Sequence, residues 1–229
     1  MRRGLMVLAG GVGERMGRPM PKQFILLAGK PIIAHVLDRV RDLPDITRII
    51  VCPPEHVSLT EELLAHRNLA DRFTCVVGGA TRQESVYNGL SYFEGYDSVV
   101  IHEAVRPFVT TAEFQALIDD PAENAIYGSS IPFTVLVGHE YVEQTLDRSS
   151  LVNVQLPQKF DVARLRAAHE AARAEGRVFT EDASMLHHYG QGRVRILPGT
   201  ANNIKITQPV DLVLGEAIYS EYVLGGASD

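Results

Sequence analysis

The chain has 229 residues, of which 45% are hydrophobic and 22% charged, and its 28 acidic and 22 basic side chains give a net charge of −6. These proportions are typical of a globular domain and exclude a disordered chain. The acidic balance argues against a nucleic-acid partner, because a polyphosphate backbone is bound by a basic surface. The acidic net charge still allows a local basic pocket for one small phosphate.

The cysteine content and the apolar runs narrow the class further. Cys52 and Cys75 are the only cysteines and form no C-x-x-C pair, which argues against a disulfide framework and a structural zinc site. No apolar run approaches the ~18 residues of a membrane-spanning helix. The run from Leu5 to Ala9 is also shorter than the ~7–15 residues of a secretory signal. These features predict a soluble protein of the reducing cytoplasm with no membrane partner.

In the first half of the chain, apolar runs alternate with segments of helical period. The predicted strands are 5–9, 46–52, 73–77 and 98–102, and the predicted helices begin at Pro31 (in the first helical position) and after the capping-box residues Thr81 and Thr110. Continuous apolar runs of this length are typical of strands buried on both faces. The repeated strand–helix–strand unit predicts an α/β fold, Rossmann-like, with a mostly parallel sheet sandwiched by helices.

The second half departs from this rhythm. Residues 133–152 are β-rich with a central Gly138-His139-Glu140, which predicts a hairpin arm inserted late in the sheet, at about 133–155. The later predicted elements are a helix from Asp161 to Gly176, a short helix capped by Thr180, strands at 194–197 and 204–207, and a closing helix opened by Pro209. No linker or repeat interrupts the chain, so we expect a single domain over 1–229 that carries the arm.

A glycine-rich loop, Gly10-Gly11-Val12-Gly13-Glu14-Arg15-Met16-Gly17, follows the first predicted strand and leads to Pro21-Lys22-Gln23-Phe24. Glycines after a buried strand let backbone donors approach an anion closely. A dinucleotide fingerprint fails because Met16 stands where its third glycine belongs, and a P-loop fails because Pro31 follows Gly29-Lys30. Two cations, Arg15 and Lys22, flank this loop of backbone donors, and the combination favours a triphosphate as the ligand. The alternative is a tight turn with solvated cations.

Two further motifs place charged residues near predicted strand ends. In His102-Glu103-Ala104-Val105-Arg106-Pro107, Glu103 can hold a divalent metal and Arg106 an anionic substrate, or the two can form a loop salt bridge. In Asn202-Asn203-Ile204-Lys205-Ile206-Thr207, alternation puts Lys205 opposite two isoleucines. On a partly buried face it needs an anion, whereas on an exposed face it reaches solvent.

Taken in order, the motifs LAGGVGERMG, PKQF, HEAVRPF, TEDAS and NNIKIT resemble those of the cytidylyltransferases that make CDP-linked polyols. The nearest relatives are the 2-C-methyl-D-erythritol 4-phosphate and ribitol 5-phosphate cytidylyltransferases, and the LAGG and HEAVRPF segments lean toward the ribitol branch. The resemblance covers nearly the whole chain. It implies a nucleotidyltransferase domain, CTP and a small phosphorylated acceptor as substrates, Mg²⁺ or another divalent cation as cofactor, and a homodimer joined through the arm.

The resemblance also implies roles for individual residues. Arg15 and Lys22 are the expected catalytic residues, which stabilise charge on the α-phosphate, and Glu103 the expected metal ligand. The acceptor is expected to contact Arg106, Arg148 supplied across the dimer, Thr180 and Lys205. The residues expected to bind the nucleotide are Leu8, Ala9, Gly10, Gly11, Gly13, Gly78, Gly79, Ser85 and Ala104.

The chain departs from the family pattern at Glu103, where the family has Asp, and at Val135, Leu136 and Leu156, where it has polar residues that touch the acceptor. Apolar partners would leave substrate hydroxyls unpaired. These apolar replacements predict a less hydroxylated phosphate or a phosphonate as an alternative acceptor. Two other hypotheses stay open, a nucleotide-binding protein without transferase chemistry and, with the failed fingerprint against it, a Rossmann oxidoreductase.

Overall fold

The computed structural model describes residues 1–11 and 20–224, with side chains as far as 221. The described strands are β1 (Arg3–Leu8), β2 (Leu26–Leu27), β3 (Lys30–Pro31), β4 (Ile46–Cys52), β5 (Thr74–Val77), β6 (Ser98–Glu103), β7 (Ala125–Ser130), β8 (Val135–Gly138), β9 (Val142–Leu146), β10 (Val152–Asp161) and β11 (Arg195–Pro198). The described α-helices are α1 (Ile32–Val40), α2 (Val57–His66), α3 (Arg82–Tyr92), α4 (Thr111–Asp119), α5 (Val162–Ala174), α6 (Asp182–His188) and α7 (Pro209–Ile218).

Seven strands form one sheet in the order β11-β7-β10-β6-β1-β4-β5. Only β10 runs antiparallel to its neighbours in this sheet, so the sheet is mostly parallel as predicted. Strand β1 lies between β4 and β6, with Leu8 opposite both Val51 and Glu103. The carboxyl ends of these three strands therefore meet at one edge, where open α/β sheets bind ligands.

Helices cover both faces of the sheet, which explains the continuous apolar strands. On one face, α1 and α4 pack Leu37 and Phe114 against the β1 side chain Leu5. On the other, α3 and α5 pack against the alternate β1 side chain Met6. Successive strand residues point to opposite faces, so a strand covered on both sides is apolar throughout. The α/β sandwich follows from this pattern.

The helix starts agree with the prediction in most places. Thr110 forms the full capping box with Glu113 at the start of α4, Asp161 caps α5, and Pro209 is the first residue of α7. Thr81 caps α3, but the Glu84 carboxylate accepts from the backbone of Ala80, so only half of that predicted box forms.

Other predictions of local structure were wrong. Glu181, and not Thr180, caps α6, because the Glu181 carboxylate accepts the Ala183 N–H. Pro31 precedes the first helical residue with an extended ψ of 137°. Residues 204–207 form no strand, because among the described residues their one backbone–backbone bond to a distant segment runs from Ile206 N–H to the Val105 carbonyl, and Thr207 N–H is taken by the Asp211 carboxylate.

The predicted arm is an antiparallel hairpin of β8 and β9, separate from the main sheet. Residues 152–155, at the end of the range expected for the arm, belong to β10, which pairs with β7 in the main sheet. Strands β7 and β10 were not predicted. Within the described part of the chain, no helix combines the length and the apolar character needed to cross a bilayer.

Candidate functional site

A cavity lies at the carboxyl ends of β1 and β6, beside the first residues of the glycine-rich loop. We call it the glycine-loop cavity. Its described lining residues are Leu8, Ala9, Gly10, Gly11, Lys22, Gln23, Gly79, Ala80, Thr81, Arg82, Ser85, Glu103, Val105 and Lys205. Backbone bonds lock the loops to the sheet edge, since Ala9 N–H donates to the Val51 carbonyl and Ala104 N–H to the Leu8 carbonyl. The cavity is therefore anchored to the central strands of the sheet.

Lys22 reaches this cavity by passing over Gly11. A Cβ at Gly11 would lie 2.4 Å from Lys22 Cε and 3.2 Å from Nζ, so only glycine leaves room for the lysine. The next residue, Gln23, fixes the segment by donating a 2.8 Å hydrogen bond from Nε2 to the Ala9 carbonyl. Lys22 is nearly buried, and this geometry holds its ammonium group against the loop.

Gly79 and Ser85 form the opposite wall. Gly79 N–H donates to Ser85 Oγ at 3.1 Å, and Gly78 N–H donates to the Cys52 carbonyl at 2.8 Å. A Cβ at Gly79 would lie 2.3 Å from Glu84 Cβ, which explains why glycine stands there. These bonds fix the shape of the wall, and Gly79 and Ser85 line the cavity opposite Lys22, where a planar base can lie against them.

Glu103 gathers three cations at the floor of the cavity. Its Oε1 accepts from Lys205 Nζ at 2.8 Å, its Oε2 accepts from Arg106 Nε at 3.2 Å, and Arg82 Nε lies 3.8 Å from Oε1. Burial alone would raise the pKa of Glu103, but the charges of Lys205 and Arg106 lower it to about 2. The salt bridge considered from the sequence is therefore present, and it includes Lys205, whose anion is Glu103.

Arg82 is held from behind by a buried acid. Its Nη1 lies 2.7 Å from Asp182 Oδ2, and His169 Nε2 lies 3.3 Å from Asp182 Oδ1. Burial alone would lower the pKa of Arg82, but the charges of Asp182, Glu181 and Glu103 raise it. The Asp182 and His169 side chains are almost completely buried. Arg82 is therefore fixed as a charged group on the cavity wall.

The turn after β6 is held by a buried, neutral imidazole. His102 is fully buried, and burial lowers its pKa to about 4. Because the Arg106 carbonyl can only accept, His102 Nε2 donates the 3.0 Å hydrogen bond between them. Arg106 in turn donates from Nη1 to the Asn203 carbonyl at 3.0 Å. These bonds join the HEAVRP turn to the NNIKIT segment.

A second cavity of about 810 Å³ adjoins the first, and we call it the arm-side cavity. Its described lining residues are Arg106, Gly128, Ser129, Ser130, Pro132, Phe133, Asn153, Gln155, Pro198, Gly199, Ala201, Asn203, Ile204 and Lys205. Lys205 lines both cavities, and Arg106 joins them through Glu103. The volume is in the range of small-molecule sites, and the wall is rich in hydroxyl and amide groups.

Most of the site residues predicted from the sequence meet in these two cavities. Leu8, Ala9, Gly10, Gly11, Lys22, Gly79, Ser85, Glu103 and Lys205 line the first, and Arg106 and Lys205 line the second. Gly78 and Ala104 lie one residue from lining positions. Gly13 and Arg15 lie outside the described residues.

Thr180 and Arg148 are absent from the described lining of both cavities. Thr180 is exposed ahead of α6. Arg148 follows the arm hairpin, where its Nη1 donates to the Pro132 carbonyl at 2.6 Å.

The apolar replacements noted in the sequence also lie away from the acceptor wall. Leu156 is 3% exposed in the core, and Leu136 is 51% exposed on the arm. Neither residue, nor Val135, lines the arm-side cavity in the described part of the chain. Ser129, Ser130 and Asn153 supply polar groups there instead. Within one chain, these replacements therefore give no reason to expect a less hydroxylated acceptor.

Arg82 is the main site residue that the sequence analysis missed. It follows the helix cap Thr81 and has no predicted role of its own. A cation in the first turn of a helix opposes the helix dipole, which favours acidic residues there. That local conflict is the signal that marks Arg82 as a residue with another task.

Glu103 is also the carboxylate that can bind a divalent cation in this site. Among the described residues, no group of three or more His, Cys, Asp or Glu side chains forms a complete metal cage. Mg²⁺ is commonly bound by one or two carboxylates together with substrate phosphates and water. A single buried carboxylate beside a phosphate-sized cavity fits that donor set.

Comparison with known proteins agrees with this geometry. The profile of the family described as "IspD: 2-C-methyl-D-erythritol 4-phosphate cytidylyltransferase" matches residues 4–221. The enzyme of that name from Geobacillus kaustophilus is 40% identical over 220 residues, which cover 93% of this chain and 95% of the relative. The one from Desulforamulus reducens is 37% identical over 219 residues, 93% of each chain.

Solved structures give the same result. The 4-diphosphocytidyl-2C-methyl-D-erythritol synthase of Anaerococcus prevotii superimposes with a TM-score of 0.83 at 25% identity, covering 95% of this chain and 96% of the other. The 2-C-methyl-D-erythritol 4-phosphate cytidylyltransferase of Thermus thermophilus does so with a TM-score of 0.74 at 27% identity, covering 94% and 98%. Both the predicted fold class and the predicted enzyme class are confirmed. The chain belongs to the 2-C-methyl-D-erythritol 4-phosphate cytidylyltransferase family.

Proposed function

We propose that the chain transfers CMP from CTP to the phosphate of 2-C-methyl-D-erythritol 4-phosphate. A phosphate oxygen of the acceptor attacks the α-phosphorus of CTP, a new P–O bond forms, and the bond to the β-phosphate oxygen breaks to release pyrophosphate. The observation that carries the proposal is the position of Lys205 and Arg106 at the junction of two adjoining cavities. Two anions must meet in this reaction, and cations at a shared boundary favour that meeting.

The glycine-loop cavity suits the nucleotide. Gly10 and Gly11 bring backbone donors to the cavity without a Cβ, and Lys22 lies against them. The Gly79 and Ser85 wall lines the same cavity and leaves room for a base against it. CTP, in place of another triphosphate, rests on the family.

The arm-side cavity suits a hydroxylated phosphate. Arg106 and Lys205 stand at its inner end, where the acceptor phosphate belongs, and Ser129, Ser130 and Asn153 offer partners for hydroxyl groups. The relatives reported above carry the methylerythritol name, which supports this acceptor over ribitol 5-phosphate. Polar walls favour either polyol over a simple phosphonate, because their groups would otherwise be buried unpaired.

The protein's contribution to the rate is positioning and electrostatic stabilisation. The acceptor phosphate is already anionic, so no general base is needed. Charge spreads over the α-phosphate oxygens in the transition state, and Lys22 is the described cation against the glycine loop that can stabilise it. Arg15, expected to assist, lies outside the described residues. Mg²⁺ held by Glu103 and the phosphates would neutralise further charge.

The test is an acceptor profile. Pyrophosphate release from CTP is measured with 2-C-methyl-D-erythritol 4-phosphate, ribitol 5-phosphate and methylphosphonate, and the product is identified by mass spectrometry. We expect the CDP-linked methylerythritol product and the highest kcat/KM with that acceptor. A higher kcat/KM with ribitol 5-phosphate reassigns the acceptor. Nucleotide binding without pyrophosphate release under any condition identifies the alternative, a binding protein without transferase chemistry.

We further infer that the active form is a homodimer joined through the arm, the segment that carries β8 and β9. Phe133 and Tyr141 on the arm are 75% and 78% exposed, and Leu136 and Val142 are exposed beside them. Exposed apolar side chains on a protruding hairpin are typical of an interaction surface. In such a dimer, Arg148 can serve the partner's arm-side cavity.

Mixing two inactive variants tests this inference. Lys22→Ala and Arg148→Ala chains are mixed after dissociation and reassociation. If Arg148 acts in the partner's site, half of the sites in each mixed dimer are intact, so about a quarter of the wild-type activity returns. No recovery in a mixture shown by mass to contain mixed dimers contradicts the role of Arg148 across the dimer.

A further inference from the structure

Glu103 occupies the place where a substrate phosphate is needed. Lys205 and Arg106 take up both of its oxygens, at 2.8 Å and 3.2 Å. The same two cations border the arm-side cavity. Without substrate, the carboxylate is therefore the anion that the cation cluster holds.

An entering phosphate and Glu103 compete for the same donors. The Glu103 side chain is only 9% exposed, so water screens little of the repulsion between the two anions. The Lys205 side chain is 37% exposed and can follow a phosphate into the arm-side cavity. When Lys205 and Arg106 turn toward the phosphate, they leave a buried carboxylate without its two nearest partners, which is strongly unfavourable.

Arg82 keeps the released carboxylate in place. Asp182 holds Arg82 at 2.7 Å, and Arg82 lies 3.8 Å from Glu103 Oε1. Arg82 is too distant to replace both lost bonds but close enough to orient the carboxylate toward the cavity. A divalent cation is the partner that satisfies the remaining charge, and Mg²⁺ and Mn²⁺ both favour oxygen ligands.

We propose that Glu103 exchanges its partners, held by Lys205 and Arg106 in the free protein and turned to a divalent cation when an anion takes those two residues. Anion and cation binding are then coupled, each strengthening the other by the same factor. This inference rests on the proposed function for its assignment of the arm-side cavity to a phosphate. It adds that the metal-binding carboxylate becomes available only as the acceptor phosphate binds.

The coupling is measured without turnover and without nucleotide. Mn²⁺ affinity is followed by electron paramagnetic resonance of the full chain, with and without saturating methyl phosphate. We expect Mn²⁺ to bind about tenfold more tightly with methyl phosphate, and methyl phosphate to gain the same factor from Mn²⁺. An unchanged Mn²⁺ affinity in the wild-type protein overturns the proposal, and this measurement needs no variant.

Glu103→Gln gives the second test, with Glu62→Gln as the control that removes the same charge from an exposed position of α2. In metal-free buffer, Glu103→Gln should bind methyl phosphate at least fivefold more tightly than wild type, because the competing carboxylate is gone, and it should lose the Mn²⁺ coupling. Glu62→Gln should behave as wild type. Weaker methyl phosphate binding by Glu103→Gln overturns the exchange, since the carboxylate would then serve to position the cations.

The outcome is separable from that of the proposed function. CMP transfer without coupling rejects the exchange and leaves the activity in place. Coupling without CMP transfer supports the exchange and rejects the activity.

Discussion

Lys205 Nζ lies 2.8 Å from a carboxylate oxygen of Glu103, although 102 residues separate the two in the sequence. Glu103 ends the strand β6, and Lys205 lies in an irregular segment whose neighbour Ile206 bonds to the Val105 carbonyl. The parallel sheet fixes one residue, and the Ile206 bond together with the bond from Arg106 to the Asn203 carbonyl holds the other beside it.

Lys22→Ala should keep the fold and lose catalysis. Removing one preorganised donor of transition-state charge costs ~10²–10³ in kcat, about 2.7–4 kcal/mol. Steady-state pyrophosphate release measures the loss, and circular dichroism checks the fold. Lys30→Ala is the control, because Lys30 pairs with Asp38 away from both cavities and should turn over normally. A Lys22→Ala variant with nearly normal kcat would reject its role.

Gly11→Ala should reduce activity by displacing Lys22. The new Cβ would lie 2.4 Å from Lys22 Cε, and the flexible lysine can move aside at little cost in stability. We expect kcat/KM to fall about tenfold, equivalent to about 1.4 kcal/mol, with an almost unchanged melting temperature. Gly10→Ala has open space for its Cβ and should lose less. Equal losses at both positions would show that the Lys22 contact is not the cause.

Asp182→Asn should destabilise the protein far more than Asp42→Asn. Both acids pair with an arginine, at 2.7 Å and 2.9 Å, but the Asp182 side chain is 2% exposed and that of Asp42 is 66% exposed. Breaking this buried pair removes the nearest acid from Arg82 and costs about 3–5 kcal/mol, whereas an exposed pair contributes about 0–1 kcal/mol. Urea unfolding at pH 7 measures both, and similar small losses would contradict the buried network.

His35 should make stability fall as the pH drops below 6.5. Burial lowers its pKa, so the unfolded chain binds the proton more readily and protonation favours unfolding. Above pH 6.5 His35 is neutral in both states and the free energy of unfolding is unaffected. Below that pH the free energy of unfolding falls by no more than about 1.4 kcal/mol per pH unit. His35→Gln retains a donor for the Leu27 carbonyl, which His35 Nε2 contacts at 2.9 Å. Urea unfolding at pH 7.5 and 5.5 should show a smaller loss for the variant, and equal losses would exclude His35.

The sequence predicted those features that depend on local chemistry. Buried strands were recognised because both of their faces are covered, and Thr110 and Asp161 were recognised as caps because their side chains bond to nearby N–H groups. The glycine loop and its Lys22 were linked because they are close in sequence. Strands β7 and β10 were missed because polar residues interrupt their apolar runs, Ser129 and Ser130 in β7 and Gln155 in β10. Gln155 finds its partner, the Thr200 carbonyl, only in the folded chain.

The residues of the candidate site were predicted more completely than the ion pairs that they form. Glu103, Arg106 and Lys205 were singled out from separate motifs, but which cation faces which anion depends on tertiary contacts. Arg82 was missed because its partner Asp182 is 100 residues away in sequence. Its unfavourable place in the first turn of α3 was the only local sign.

The most direct test of the central claim is a crystal structure of the protein with CTP, Mg²⁺ and a non-reactive acceptor phosphate. We predict that the α-phosphate lies beside Lys22 and that Glu103 is turned away from Lys205 and Arg106. The acceptor phosphate should lie within about 4 Å of both of those cations. Phosphates bound on separate surfaces, or an acceptor that leaves the Glu103–Lys205 pair intact, would contradict it.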